Sequence, residues 1–120
     1  MQQNPIQQLF YLNKTEKGSK MSNVTTAQQG QQVVISIIGR FDFNILQSFR
    51  DAYSEHADTS LTFSLDLAQT EYLDSSALGM LLNMKNHLGA EDCAIEIKNC
   101  QPNLMKIFTI AHFDKKFKFQ

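Results

Sequence analysis

The chain has 120 residues, with eleven basic and twelve acidic side chains and a formal net charge of −1. This length suits one domain with a single core, and the near-neutral charge excludes the basic surface that nucleic acid or an anionic membrane requires. Cys93 and Cys100 have neither the spacing of a redox pair nor that of a zinc site. We therefore expect no disulfide, metal or cofactor. The apolar stretches are far shorter than the roughly 18 residues of a membrane span, so we expect a cytoplasmic protein without direct membrane insertion.

Polar residues dominate the first 32 positions, apart from a short apolar patch between Ile6 and Leu12. We expect most of this stretch to be mobile, because it has few apolar side chains to bury. Met21 opens a segment typical of a domain start, so the residues before it are either an extension or the product of a misplaced start codon. The predicted division is a flexible polar extension over residues 1–23 and one domain over residues 24–120.

Strands and helices alternate from Val33 onwards. The run VVISIIG, which begins at Val33, is apolar and β-branched and indicates a buried strand. Asn44 followed by Gln47 has the spacing of a capping box and predicts a helix that ends near His56. The apolar stripe of this helix comprises Ile45, Leu46, Phe49, Ala52 and Tyr53.

The alternation continues through the second half of the chain. LTFSLDL from Leu61 predicts a second strand, and residues 75–88 predict a second helix. CAIEIK gives a third strand, Pro102 suits the first turn of a third helix, and KKFKF fits a last edge strand. The leucines expected to face the core from the second helix are Leu78, Leu81, Leu82 and Leu88. This order predicts an α/β fold, a mixed, largely parallel β-sheet of four to five strands with helices packed against it.

Two turns follow core strands, at the edge of the sheet where sites gather in α/β folds. The first is GRFDFN, which begins at Gly39, and the second is AQTEYLDSSALG, which begins at Ala68. In the second turn, Asp74 is the predicted N-cap, because Leu73 and Leu78 around it have the spacing of a hydrophobic staple.

Neither capping nor helix propensity explains why three of the residues after Asp74 are present. Ser75 and Ser76 carry hydroxyls that capping does not need, and Gly79 costs about 1 kcal/mol relative to alanine inside a helix. On a structural interpretation, serine is tolerated in a first turn and Gly79 lets another backbone approach. On a functional interpretation, a first-turn serine accepts a phosphate, whose charge of about −1.5 to −2 changes the surface and leaves the fold intact.

The segment YLDSSALGMLL resembles the D-S-S/T-G-L-G segment of the STAS domain family, which includes the bacterial anti-sigma factor antagonists. IIGRFDFN is similar to the family's other recurrent turn, in which a glycine precedes an acidic residue just before the first helix. The order of elements agrees too, and the resemblance extends from about Val24 to Phe119. It implies a STAS-like fold that works by protein–protein binding.

The resemblance also implies roles for single residues. In the antagonists, the serine directly after the aspartate is phosphorylated by a partner kinase of the GHKL ATPase type that doubles as the anti-sigma factor, and a PP2C-type phosphatase reverses the modification. That serine matches Ser75, with Ser76 as the second choice. The positions matching the partner surface are Asp42, Asp74, Ser76, Leu78 and Gly79. Ala77 stands where the family usually has glycine, and its methyl group would obstruct a closely packed kinase.

Two methionines extend the predicted partner surface. Met80 and Met84 lie four residues apart on the second helix, away from the leucine stripe. Exposed, they would form an adaptable apolar contact. The alternative is that both pack against a neighbouring helix or the N-terminal segment.

Two functions fit these residues. In the first, the unmodified protein captures an anti-sigma factor or a related serine kinase, and phosphate on Ser75 ends the capture. In the second, the protein is a non-switching accessory subunit, similar to the small STAS proteins that dock on the ATPase of a lipid-transport ABC complex. We expect no enzymatic activity, because the three histidines lie far apart without a recognisable nucleophile and no glycine-rich phosphate loop is present.

Overall fold

The computed structural model describes residues 23–55 and 60–120. Its elements, in chain order, are strands β1 (Val24–Gln29), β2 (Gln32–Ile37) and β3 (Gly39–Phe41), helix α1 (Leu46–Ser54), strands β4 (Thr62–Asp66) and β5 (Thr70–Leu73), helix α2 (Ser75–Leu88), strand β6 (Glu96–Lys98), helix α3 (Pro102–Ile110) and strand β7 (Lys118–Phe119). Short 3-10 turns occupy Phe43–Ile45 and Phe113–Lys115. Each strand and helix that the sequence predicts is present.

The main sheet has five strands in the order β1-β2-β4-β6-β7. Strand β1 runs antiparallel to β2, and the other neighbours run parallel to each other. The prediction of a mixed, largely parallel sheet in an α/β domain is therefore confirmed, and β7 forms the expected last edge. A second sheet pairs only β3 with β5, in parallel.

Alternate residues of strand β2 point into one core. Val33, Ile35 and Ile37 of β2 are fully buried, whereas the residues between them are only half-buried. The register pairs Val33 with Phe63 and Ile35 with Leu65, so the buried side chains of neighbouring strands share one face of the sheet. The helices cover this face, because their buried residues belong to the same apolar cluster. The result is a two-layer domain.

Strand β1 was not predicted, because it lies in the polar stretch over residues 1–32 that was expected to be mostly mobile. It pairs with β2 over its whole length, although Val24 is its only buried residue. A loop of Gly30 and Gln31 closes the hairpin, and Gly30 adopts the left-handed φ of 59° that glycine tolerates without strain. Residues 1–22 of the predicted extension lie outside the described residues.

Helix α1 begins differently from the prediction. Asp42, not Asn44, provides the cap, because Asp42 Oδ1 accepts a hydrogen bond from the backbone N–H of Asn44 at 3.0 Å. Gln47 does not complete a capping box; its amide donates to Asp51 at 2.9 Å. A carboxylate placed before the 3-10 turn reaches the first unpaired N–H group and so determines where the turn begins. The predicted helix end at His56 lies outside the described residues.

Helix α2 has the predicted bounds, Ser75–Leu88, but buries a different face. Met80 and Met84 are 4% and 0% exposed, so the prediction that they form an exposed partner contact is wrong. The buried stripe comprises Ala77, Met80, Leu81 and Met84, which recur at helical spacing. Leu78 and Leu82 are only half-buried. The unbranched methionine side chains suit this position because they fill irregular gaps between a helix and a sheet.

Length and apolar character together determine whether a helix can span a bilayer. No helix in the described ranges 23–55 and 60–120 is long and apolar enough to do so.

Candidate functional site

The short pairing of β3 with β5 brings the two predicted turns side by side. Its register places Arg40 opposite Tyr72 and Phe41 opposite Leu73, which are the last strand residues before each turn. The turns therefore leave the small sheet at the same edge. The sequence indicates both turns but not the strands that hold them together.

Asp42 and Asp74 act as N-caps in nearly the same extended backbone conformation. Asp42 has φ −141° and ψ −173°, and Asp74 has φ −133° and ψ −171°. Asp74 Oδ1 accepts hydrogen bonds from the backbone N–H groups of Ser76 at 3.0 Å and Ala77 at 3.3 Å. Asp74 is thus the cap of α2, as predicted from its spacing. Both carboxylates satisfy backbone donors that would otherwise lack an acceptor.

The two serines after Asp74 differ in what their hydroxyls do. The Ser76 hydroxyl donates a hydrogen bond to Asp74 Oδ1, and Ser76 is half-buried. Ser75 is exposed, and its hydroxyl has no hydrogen-bond partner among residues 23–55 and 60–120. Ser76 therefore has a local structural role that the sequence analysis missed, whereas the Ser75 hydroxyl remains accessible from solvent.

Hydrogen bonds and charge keep Asp74 ionised. The bond from the Ser76 hydroxyl is the largest cause that lowers the pKa of Asp74 below its ordinary value. Partial burial opposes this change, and the backbone N–H groups of Ala77 and Ser76 and the charge of Arg40 reinforce it. Arg40 Nε lies 3.2 Å from Asp42 Oδ2, and its guanidinium stacks 3.9 Å above the centre of the Tyr72 ring. The positive charge of Arg40 thus interacts with residues of both turns.

A groove of about 260 Å³ lies beside the two turns, between α1 and α2. We call it the α1–α2 groove. Its lining residues are Phe43, Leu46, Arg50 and Tyr53 on one side and Ser76, Gly79, Met80 and Asn83 on the other. Phe43 is 66% exposed. Gly79 was predicted as a partner-surface residue but Phe43 was not, because the turn GRFDFN contains two phenylalanines and nothing local tells the exposed Phe43 from the buried Phe41.

Most of the predicted partner-surface residues lie at this edge of the domain. Three residues of α2 expose less side-chain surface there than expected. Leu78 packs against the core cluster and presents only part of its side chain. Met80 reaches the groove wall from a buried position, and Met84 lies wholly in the core. Ala77 is fully buried as well, so its methyl group points inward and cannot obstruct a kinase.

A family model for the STAS domain of Mlab matches residues 24–119. The chain belongs to the STAS domain family. A STAS-domain containing protein of Pseudomonas aeruginosa (strain UCBPP-PA14) is 48% identical to it over 89 residues, which cover 74% of this chain and 88% of that protein. The family predicted from YLDSSALGMLL and IIGRFDFN is therefore confirmed.

Solved anti-sigma factor antagonists share the fold of this STAS domain. One from Mycobacterium paratuberculosis has a TM-score of 0.66 at 18% identity, covering 80% of this chain and 82% of that chain. The antagonist SpoIIAA in its unphosphorylated form has a TM-score of 0.58 at 19% identity, covering 72% and 82%. The Bacillus SpoIIAA in its phosphorylated form has a TM-score of 0.56 at 19% identity, covering 81% and 90%.

Proposed function

We propose that this STAS domain is a phosphorylation-controlled binding regulator of the anti-sigma factor antagonist type. The unmodified protein captures an anti-sigma factor or a related serine kinase of the GHKL ATPase type. A phosphate accepted on Ser75 ends the capture, and a PP2C-type phosphatase restores it. The observation that carries the proposal is that Ser76 donates its hydroxyl to Asp74, whereas the Ser75 hydroxyl is exposed at the start of α2.

The charge balance around Ser75 suits a surface switch. A phosphate adds about −1.5 to −2 charges next to Asp74, which is already negative. The start of a helix favours an anion, so α2 stays formed while the surface becomes strongly negative. The likeness of this fold to SpoIIAA extends to both the unphosphorylated and the phosphorylated form of that protein, which supports a switch that leaves the fold in place.

The proposal requires that phosphate occur on Ser75 in cells and that its occupancy change. Phosphopeptide mapping by mass spectrometry on protein recovered from growing and stressed cells measures this directly. We expect a modified peptide that carries phosphate on Ser75 and not on Ser76, because the Ser76 hydroxyl is engaged by Asp74. Absence of phosphate on Ser75 under every condition would contradict the switch.

Charge-mimicking variants test the effect of the modification on binding. We expect Ser75→Asp to abolish capture of the serine kinase and Ser75→Ala to retain it under all conditions. Ser48→Asp is the matched control, because Ser48 is an exposed serine on α1 that does not line the groove. Equal binding by Ser75→Asp and Ser75→Ala would refute the switch and would favour the non-switching subunit of a lipid-transport ABC complex.

A further inference from the structure

We propose that the α1–α2 groove anchors the partner by receiving an aliphatic side chain that lies next to a carboxylate in the partner's sequence. The aliphatic group packs between Phe43 and the wall at Gly79, and the carboxylate pairs with Arg50. This inference rests on the proposed function, since it places the anchor beside the phosphate acceptor at Ser75.

Gly79 is the first observation that supports an external occupant. It lies inside α2, where glycine weakens the helix, and its backbone is helical, so no left-handed conformation demands glycine. A β-carbon placed there would meet no atom within 4 Å, so internal packing does not demand glycine either. Ser76 precedes it and Asn83 follows it along the same wall. The missing side chain leaves this wall flat, which allows a close approach from outside.

Phe43 is the second observation. Its ring is 66% exposed, although Phe41 and Ile45 on either side are buried. The Asp42 carboxylate holds the turn through the Asn44 N–H group, so the backbone that carries the ring is positioned before a partner arrives. Aromatic residues, phenylalanine included, are enriched at protein–protein interfaces, and a preformed turn reduces the entropy lost on association.

Charge determines which occupant fits. The lining of the groove includes one cation, Arg50, and no carboxylate. We call Leu46, Tyr53 and Met80 its floor, because they are its buried or half-buried apolar residues. Burial raises the pKa of Tyr53 although the charge of Arg50 opposes this, and a phenol is neutral at physiological pH even at its ordinary pKa. An apolar floor with a guanidinium at its side complements an aliphatic group flanked by an acidic residue. A phosphate on the neighbouring Ser75 would repel that acidic residue, which couples the anchor to the switch.

Selection from a random dodecapeptide phage-display library on the unphosphorylated full chain tests the occupant. We expect enriched peptides that carry an aliphatic residue within two positions of Asp or Glu. Synthetic copies should bind at least tenfold more weakly to Phe43→Ala, Gly79→Ala and Arg50→Gln. Gly79→Ala should at the same time melt at a higher temperature than the unmodified sequence, because alanine is the better helix former.

Two matched controls separate the groove from the rest of the surface. Ile110→Ala removes an exposed aliphatic group from α3, and Asn86→Ala changes an exposed residue of α2 outside the groove. Both should bind the peptides with unchanged affinity. Failure to enrich acidic-aliphatic peptides, or equal binding by the groove variants and these controls, would overturn the inference.

The test separates failure of the anchor from failure of the switch. If groove variants lose the peptides while Ser75→Asp captures the kinase normally, the anchor stands and the switch fails. If Ser75→Asp abolishes capture while Phe43→Ala and Gly79→Ala bind peptides and kinase normally, the switch stands and the anchor fails.

Discussion

Replacing Met84 with alanine tests how α2 is rotated against the sheet. Met84 is fully buried, and the substitution removes the side chain beyond its β-carbon. Lost burial costs about 0.8 kcal/mol per methylene-sized group, so transfer alone accounts for about 2 kcal/mol. The cavity left behind increases the loss in the free energy of unfolding to about 3 kcal/mol. In a domain of this size, that loss lowers the melting temperature by roughly 12–15 °C.

Urea unfolding followed by circular dichroism measures this loss, with an unchanged m-value showing that the transition is comparable. Met84→Leu keeps the volume and should cost less than about 1.5 kcal/mol. Ile110→Ala is the surface control, because Ile110 is 79% exposed, and it should stay within about 0.5 kcal/mol of the parent. If Met84→Ala costs no more than Ile110→Ala, Met84 faces solvent and the described orientation of α2 is wrong.

Three further outcomes follow from single contacts. Folding lowers the pKa of Asp74, so its contribution to stability is fully present above the unfolded value near 3.8 and is lost as the pH falls through the lower folded value. The stability advantage over Asp74→Asn should therefore vanish in urea titrations carried to strongly acidic pH; a constant advantage would contradict the reasoning. Burial raises the pKa of Cys100 to about 11, whereas Cys93 is exposed. Iodoacetamide should therefore label Cys93 first, which peptide mass spectrometry would measure. Equal labelling rates would argue against the burial of Cys100. The buried Thr70 Oγ1 donates a hydrogen bond to the Ile37 carbonyl at 2.7 Å. Thr70→Val should therefore lower the free energy of unfolding, measured in urea, by about 1–3 kcal/mol. No loss would mean that another donor reaches this carbonyl.

Elements with their own apolar pattern were predictable, and elements that depend on pairing were not. The buried run of β2 and the cap and apolar content of α2 indicate a strand and a helix without reference to the rest of the chain. Strand β1 buries only Val24, so its stability comes from hydrogen bonds to β2 that no local pattern records. Strands β3 and β5 are three and four residues long and exist because they pair with each other.

The residues of the candidate site also include some that local sequence predicts and some that it does not. Asp74 was predictable as the cap because capping is a local arrangement of a few consecutive residues, whereas the role of Ser75 as a phosphate acceptor was inferred from the family resemblance and stays a prediction. The methionines were misplaced because α2 carries two overlapping apolar stripes of helical spacing, both of which contain Leu81. Contact with the sheet selects the stripe that includes Met80 and Met84, and that contact is not encoded in the helix alone.

The residues that hold the site are distinct from those that face outward. Asp42 and Asp74 direct their carboxylates to the N–H groups of their own turns, and substitutions there should change stability together with binding. Ser75, Phe43 and Gly79 offer an exposed hydroxyl, an exposed ring and a missing side chain, none of which the packing requires. Substitutions in this second group should change binding while the domain remains folded. The proposed switch needs this separation, because a protein that alternates between two binding states must remain folded in both.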